Sequence, residues 1–381
     1  MSSPYVGPEL RWSDSGTLPD MHLAEGLTLA SIVLSVAVIV LLVVVLHRLT
    51  GNAAGTDADT EQQVQEPPAR FARIAVVMNP SKHEDPDVFR ELLQAMTERI
   101  GEHPLTFYDT TIDDPGTGQA RAALADGSDL VLAAGGDGTV RMVAAAMAHS
   151  DVPMGILPVG TGNLMARNLA LPIDHLEEAL RIAVVGQDTP TDMGWLRVGR
   201  STVQIESAAP QPFLVIAGVG ADAEIMEATD PTMKKRIGWP AYVIPGLSRV
   251  IGHAFDARVE MFPGRTHDVQ ARTVLIGNVG KLPAGIVLMP EATASNERLE
   301  VLAASWRGAA GLSQIGAQLV NPRLHPSPRL ATTQHGLVKQ VRVTTQKPQP
   351  VQLDGDSLGE QTHVVAEVDP GALRMRLPAQ D

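Results

Sequence analysis

Gly135-Gly136-Asp137-Gly138-Thr139 puts a carboxylate inside a turn made almost wholly of glycine. Ahead of it, Asp129 to Ala134 is a short apolar run of buried-strand type; behind it, Val140 to His149 is rich in alanine and methionine and reads as a helix. The turn therefore joins a strand to a helix, as in an α/β fold. Glycine lets a phosphate approach the backbone with no Cβ in the way, and the free N–H groups of a helix's first turn favour an anion. Asp137 would repel that phosphate unless a metal or a proton stood between them. The pattern thus calls for a nucleotide carried with Mg2+ and a carboxylate close to the transferring group. A plain glycine turn with a helix-capping aspartate is the alternative.

One strand-and-helix unit later, Met154-Gly-Ile-Leu-Pro-Val-Gly160-Thr161-Gly162-Asn163 repeats the arrangement, an apolar strand running into a glycine turn and a helix-like Leu164 to Leu169. Two such turns on neighbouring parallel strands open at one edge of a sheet, where ligands of open α/β folds bind. A third strand precedes them, Ile74 to Met78, and ends in the polar turn Asn79-Pro80-Ser81.

At these residues the sequence resembles the diacylglycerol kinase catalytic-domain family, relatives of the sphingosine kinases and, more distantly, of the NAD kinases. The resemblance runs from Ala72 to the C-terminus. Its carriers are Asn79-Pro80-Ser81, Gly135 to Thr139, Pro158 to Asn163, Gly218 to Ala223, Lys235-Arg-Ile-Gly238 through Ala241-Tyr242, and Gln352-Leu-Asp354-Gly355-Asp356. It implies that Asn79, Gly135, Gly136, Gly138, Thr139, Gly160, Thr161, Gly162 and Asn163 position ATP, that Asp137 works through Mg2+, and that a threonine after the second strand, Thr110 or Thr111, meets the nucleotide. A hydroxyl capping a turn is the other reading of that threonine. Asp356 stands where the family usually has the glutamate taken as the base for the lipid hydroxyl, one methylene shorter. Asn296 stands where a carboxylate commonly holds a structural Mg2+, and a neutral amide is a poorer ligand for a hard divalent ion.

The 381 residues, 44% of them apolar, suffice for two globular cores. Cysteine is absent, which excludes disulfide scaffolds, thiolate zinc sites and cysteine nucleophiles. A formal charge of −13 argues against nucleic acid as a partner. Leu27 to Leu46 is a continuous uncharged apolar run; at 1.5 Å rise per residue it reaches roughly 30 Å, a bilayer's hydrocarbon thickness. It reads as a transmembrane helix following an extracytoplasmic tail (residues 1–26), with Arg48 placing the remainder in the cytoplasm and residues 47–71 as a flexible linker. This makes the protein a single-pass cell-membrane protein whose catalytic part is cytoplasmic.

Residues 72–187 are expected to form the α/β nucleotide-binding domain. In it, Val88, Leu92, Met96 and Ile100 recur every fourth residue along a helix from Asp87 to Ile100 and form the face laid on the sheet. Residues 188–381 show many short β-type segments parted by glycine and proline, which suggests an antiparallel β-sandwich whose last strands return to the first domain. Asp354-Gly355-Asp356 reads as a turn between strands whose two carboxylates reach a shared solvent pocket. Gly355-Asp-Ser357-Leu-Gly359 spells a nucleophile elbow, but Thr362 to Val368 alternates like a strand where the elbow requires a helix. Lys234-Lys235-Arg236 with Trp239 and Tyr242 is a basic-aromatic cluster that could meet headgroups or phosphates, or merely be a solvated helix face.

These readings converge on a membrane-anchored lipid kinase that moves the γ-phosphoryl of ATP to a hydroxyl of a diacylglycerol-like lipid, acting on a membrane lipid and with a homodimer possible. An NAD kinase-like enzyme and a non-catalytic nucleotide- or lipid-binding module are the alternatives.

Overall fold

A computed structural model describes residues 71–101, 104–220, 254–283, 286–320 and 329–379. The run Leu27 to Leu46, the linker and the cluster Lys234 to Tyr242 lie outside the described residues. Among the described residues no helix is long and apolar enough to cross a membrane. The longest, Pro86–Arg99 with 14 residues, reaches only about 21 Å. The expectation of a single-pass cell-membrane protein with a cytoplasmic catalytic part is corrected accordingly.

The first unit is a parallel sheet in the order β2-β1-β3-β4, built from β1 (Ile74–Met78), β2 (Leu105–Asp109), β3 (Leu130–Gly135) and β4 (Met154–Pro158). Every residue of β1, β3 and β4 is buried, as continuous apolar runs covered on both faces must be. Helices α1 (Pro86–Arg99), α2 (Thr117–Ala125), α3 (Asp137–Met147), α4 (Leu164–Asn168) and α5 (Leu176–Val185) cover it. Asp85 starts α1 by accepting the N–H groups of Asp87 and Val88, with Pro86 preset for a first helical position.

The buried face of α1 is not the expected one. Phe89, Leu93 and Thr97 are buried, whereas Val88 and Leu92 are exposed. Both stripes recur every fourth residue, and the polar Thr97 disguised the buried one. Its hydroxyl donates back to the Leu93 carbonyl at 2.8 Å, so its burial leaves no polar group unpaired.

The second unit is antiparallel. It comprises β5 (Gln187–Gly199), the short helix α6 (Thr202–Ser207), β6 (Gln211–Phe213), β7 (Ile216–Gly220), β8 (Phe255–Phe262), β9 (Thr266–Ala271), β10 (Thr273–Gly277), β11 (Leu299–Trp306), α7 (Gly308–Val320), β12 (Ala331–Val338), β13 (Gln340–Leu353) and β14 (Asp356–Leu377). Strand β13 serves two layers: Gln340 to Thr345 pairs with β8, and after two register shifts Val351 to Leu353 pairs with β7 in the row β12-β11-β10-β7. Val259, Val341, Val343 and Val364 on one side meet Val219, Val274, Ile276 and Val301 on the other in one apolar core. β8 alternates buried and open residues along its length, as a strand with one face on a core does.

The units share their last strand. β14 pairs with β13 at its start and with β5 along its length, and Met375 pairs with Met154 of β4 in parallel. Ala372, Leu373 and Met375 lie in the same core as Val131, Ala133, Val143 and Ile156 of the first unit.

Candidate active site

Parallel pairing brings the strand ends to one edge. Met78 faces Asp109 on one side and Ala134 on the other, and Gly135 faces Pro158. Asn79, Thr110, Gly136 and Gly160, each just beyond a strand end, therefore stand side by side. Asn79 shapes its own turn: Oδ1 accepts the Ser81 N–H at 3.0 Å and the Ser81 hydroxyl at 2.7 Å. Thr110 is buried at the end of β2, its N–H bonded to the Met78 carbonyl at 2.8 Å. Thr111 is exposed and its hydroxyl accepts the Asp114 N–H at 3.0 Å, a turn cap.

The two glycine turns pack backbone on backbone. A methyl group at Gly160 would come within 2.5 Å of Gly136 Cα, and one at Gly135 within 2.4 Å of Thr139 Cβ. Beyond its chain neighbours and the backbone of its own helix, no heavy atom stands within 4 Å of where a Cβ on Gly138 would lie, so the start of α3 has room for a ligand. Asn163, buried and left-handed at φ 49°, closes the second turn by accepting the Gly160 N–H at 3.0 Å and donating to the Gly160 carbonyl at 2.7 Å. Thr161 is exposed on that turn. Arg167 Nε donates to the Gly162 carbonyl at 2.8 Å.

Asp137 does not stand free before a phosphate. Its Oδ1 accepts the Leu164 N–H at 2.6 Å, and a Cβ on Gly162 would lie 2.6 Å from its Oδ2. The carboxylate thus caps α4 and fastens the second turn to the first. Burial pushes its carboxyl above the usual range, opposed by the backbone N–H groups of Leu164, Met165 and Asn163.

The pair at the β13–β14 turn divides its work. Asp354 points inward, not to a shared solvent pocket. Its carboxylate accepts the N–H groups of Leu214, Val215 and Ile216 at 2.8, 3.0 and 2.8 Å, at a left-handed φ of 46°. Burial pushes that carboxyl up to about 6, against the pull of those N–H groups and of Arg141. Asp356 points outward, its side chain 61% exposed, and pairs with Arg141 of α3. Arg141 also donates to the Leu353 carbonyl at 3.1 Å. Since Arg141 lies one helical turn beyond Asp137, the ion pair ties Asp356, 215 positions away in sequence, to the helix that begins at the first glycine turn.

Asn296 stands apart from this edge. Its amide donates to the Glu291 carbonyl at 2.7 Å and accepts the Arg298 N–H at 3.1 Å. The next residue, Glu297, adopts φ 58°, and its N–H goes to the Asp192 carboxylate at 2.7 Å, which also takes the Gly371 N–H at 2.8 Å. Among the described residues there is no group of three or more His, Asp or Glu side chains that could hold a metal ion.

Sequence reasoning missed Arg141, Lys82 and Asp192. Lys82 Cε lies 3.7 Å from where a Cβ on Gly136 would be, so an exposed cation borders the first glycine turn. Its place directly after Ser81 was a usable signal, as was Arg141's spacing of four from Asp137 on one helical face. Asp192 carried no such signal.

The model of the diacylglycerol kinase catalytic domain matches residues 73–196, and that of the YegS C-terminal NAD kinase beta sandwich-like domain matches residues 215–377. A Klebsiella pneumoniae protein named "Probable lipid kinase YegS-like" is 31% identical over 253 residues, covering 66% of this chain and 78% of that protein. The chain belongs to this lipid kinase family. It is a kinase, with a nucleotide-binding α/β domain followed by a β-sandwich-like one. A Synechocystis protein is 27% identical over 260 residues, of whose length the chain spans 56%. The fold is also that of a structure titled as a diacylglycerol kinase from Bacillus anthracis str. Sterne, at TM-score 0.59 and 19% identity, covering 81% of this chain and 97% of the other.

Proposed function

We propose that this kinase transfers the γ-phosphoryl group of ATP to a hydroxyl of a diacylglycerol-like lipid. The supporting observation is the ion pair of Arg141 with Asp356, which sets an exposed carboxylate beside the helix that begins at the phosphate turn. The open backbone at Gly138 and the cation of Lys82 at Gly136 suit the triphosphate. Mg2+, brought with the nucleotide, would offset the charge of the triphosphate, and Asp137, whose Oδ1 also holds the Leu164 N–H, would be the carboxylate of that turn to hold it. The lipid oxygen bonds to the γ-phosphorus as the bond from that phosphorus to the β–γ bridging oxygen breaks. Asp356 takes the hydroxyl proton, and ADP leaves. The bond network of Asp354 fixes the turn that carries Asp356, so the shorter side chain is offered from a rigid support.

The test is incubation with γ-labelled ATP and Mg2+, separately with diacylglycerol, sphingoid and monoacyl lipids in mixed micelles and with NAD. Label in a diacylglycerol-like lipid is expected. Label in NAD alone, or ATP binding with no labelled acceptor, would overturn the reading.

A further inference from the structure

The Arg141 side chain is only 11% exposed, and it pairs with the Asp356 side chain, which is 61% exposed. Burying a cation is costly unless it is paired and hydrogen-bonded. Of its donors, one nitrogen serves Asp356 Oδ2, another the Leu353 carbonyl, and Nε is buried without a partner among the described residues. A side chain kept in place with one donor unsatisfied is held there by its two remaining contacts, and both lie on the turn carrying Asp356. Leu353 and Asp356 bracket Asp354, whose carboxylate is itself tied to the backbone of residues 214–216.

We infer that Arg141 is a positioning residue for the transfer: it holds Oδ2 of Asp356 and thereby turns Oδ1 towards the acceptor hydroxyl, locking the base to the helix that starts at the phosphate turn. The inference rests on the reading of Asp356 as the base. Orientation matters more than base strength here, because phosphoryl transfer is catalysed mainly by positioning and electrostatics. A planar fork that spans a carbonyl and a carboxylate suits that task, and a lysine ammonium cannot hold both in the same geometry. The Arg141 side chain bonds to Leu353 and Asp356 and not to the glycine turns, so its effect should fall on turnover and not on ATP affinity.

The experiment compares wild type, Arg141→Met, Arg141→Lys, Asp356→Asn and the double variant Arg141→Met/Asp356→Asn, reading kcat with lipid acceptor, KM for ATP, and ATP affinity by calorimetry. Arg141→Met is expected to lose at least about tenfold in kcat, a coupling typical of contacting residues, with ATP affinity within about twofold of wild type. Arg141→Lys should fall between the two, which also covers the case of a Met variant that does not fold. In the Asp356→Asn background the residual turnover should drop no further on adding Arg141→Met. Wild-type kcat in both Arg141 variants, or equal losses with and without Asp356, would overturn the positioning role while leaving Asp356 as the base. Full turnover in Asp356→Asn would overturn the base itself and the inference with it.

Discussion

At Asp137 one carboxylate answers to two demands. It holds the Leu164 N–H, and in the proposed reaction it also answers to the charge of the bound nucleotide. Asp137→Asn keeps an oxygen for the Leu164 amide but removes the charge, so kcat should fall at least about 100-fold with little loss of stability. Asp137→Ala also deletes the cap and should cost about 1–3 kcal/mol in chemical denaturation. Near-normal turnover in the asparagine variant would leave Asp137 as a capping residue only. Asp354 makes a pH prediction. Its folded carboxyl is raised to about 6 from 3.8, so between these values the folded state keeps a proton that the unfolded chain has released. Stability should therefore fall as pH rises from about 4 to about 6 and level off above, by on the order of 3 kcal/mol. Asp354→Asn should lack that slope, whatever its absolute stability. Equal slopes in both proteins would show that the three N–H groups and Arg141 keep Asp354 ionised throughout.

Among the elements, the two glycine turns separate packing from ligand access. Gly160→Ala drives a methyl into Gly136 and should lower Tm and nucleotide affinity together. Gly138 lies inside α3 with open space beside it, so Gly138→Ala should leave Tm unchanged or raise stability by about 0.5–1 kcal/mol. If phosphate approaches there, the same variant should raise KM for ATP roughly tenfold or more, because a methyl and a phosphate oxygen cannot share the space. Unchanged KM would move the phosphate elsewhere. These turns were legible in the sequence because their cause is local: a strand, glycines and a helix within some fifteen residues. The face of α1 was not, since two adjacent stripes share one spacing and only tertiary contact chooses Phe89 and Leu93 over Val88 and Leu92. Nor was the Arg141–Asp356 pair, whose partners meet only when β14 returns. The roles of Asp354 and Asp356 read as alike from their spacing, and the backbone of residues 214–216, far off in sequence, is what distinguishes them.

For the molecule as a whole, the two units cannot be cut apart at their apparent boundary. Ala372, Leu373 and Met375 supply core to the parallel sheet, and Arg376 donates to the carbonyls of Ala183 and Val184 at the end of α5. A fragment of residues 71–187 should therefore fail to give a cooperative thermal transition, while adding a peptide of residues 369–379 in excess should stabilise it if strand β5 is also present. A sharp transition in the fragment alone would show that β14 is dispensable to the first unit. The same strand orders events during synthesis. β1 to β4 leave the ribosome long before residue 375, so for that interval β4 has an unpaired, fully apolar flank, the kind of edge that recruits other chains. Closing it requires contacts of very large sequence separation, which fold slowly. A nascent chain of this kinase should thus depend on chaperone cover until β14 arrives, and slowing translation before that point should lengthen the exposure.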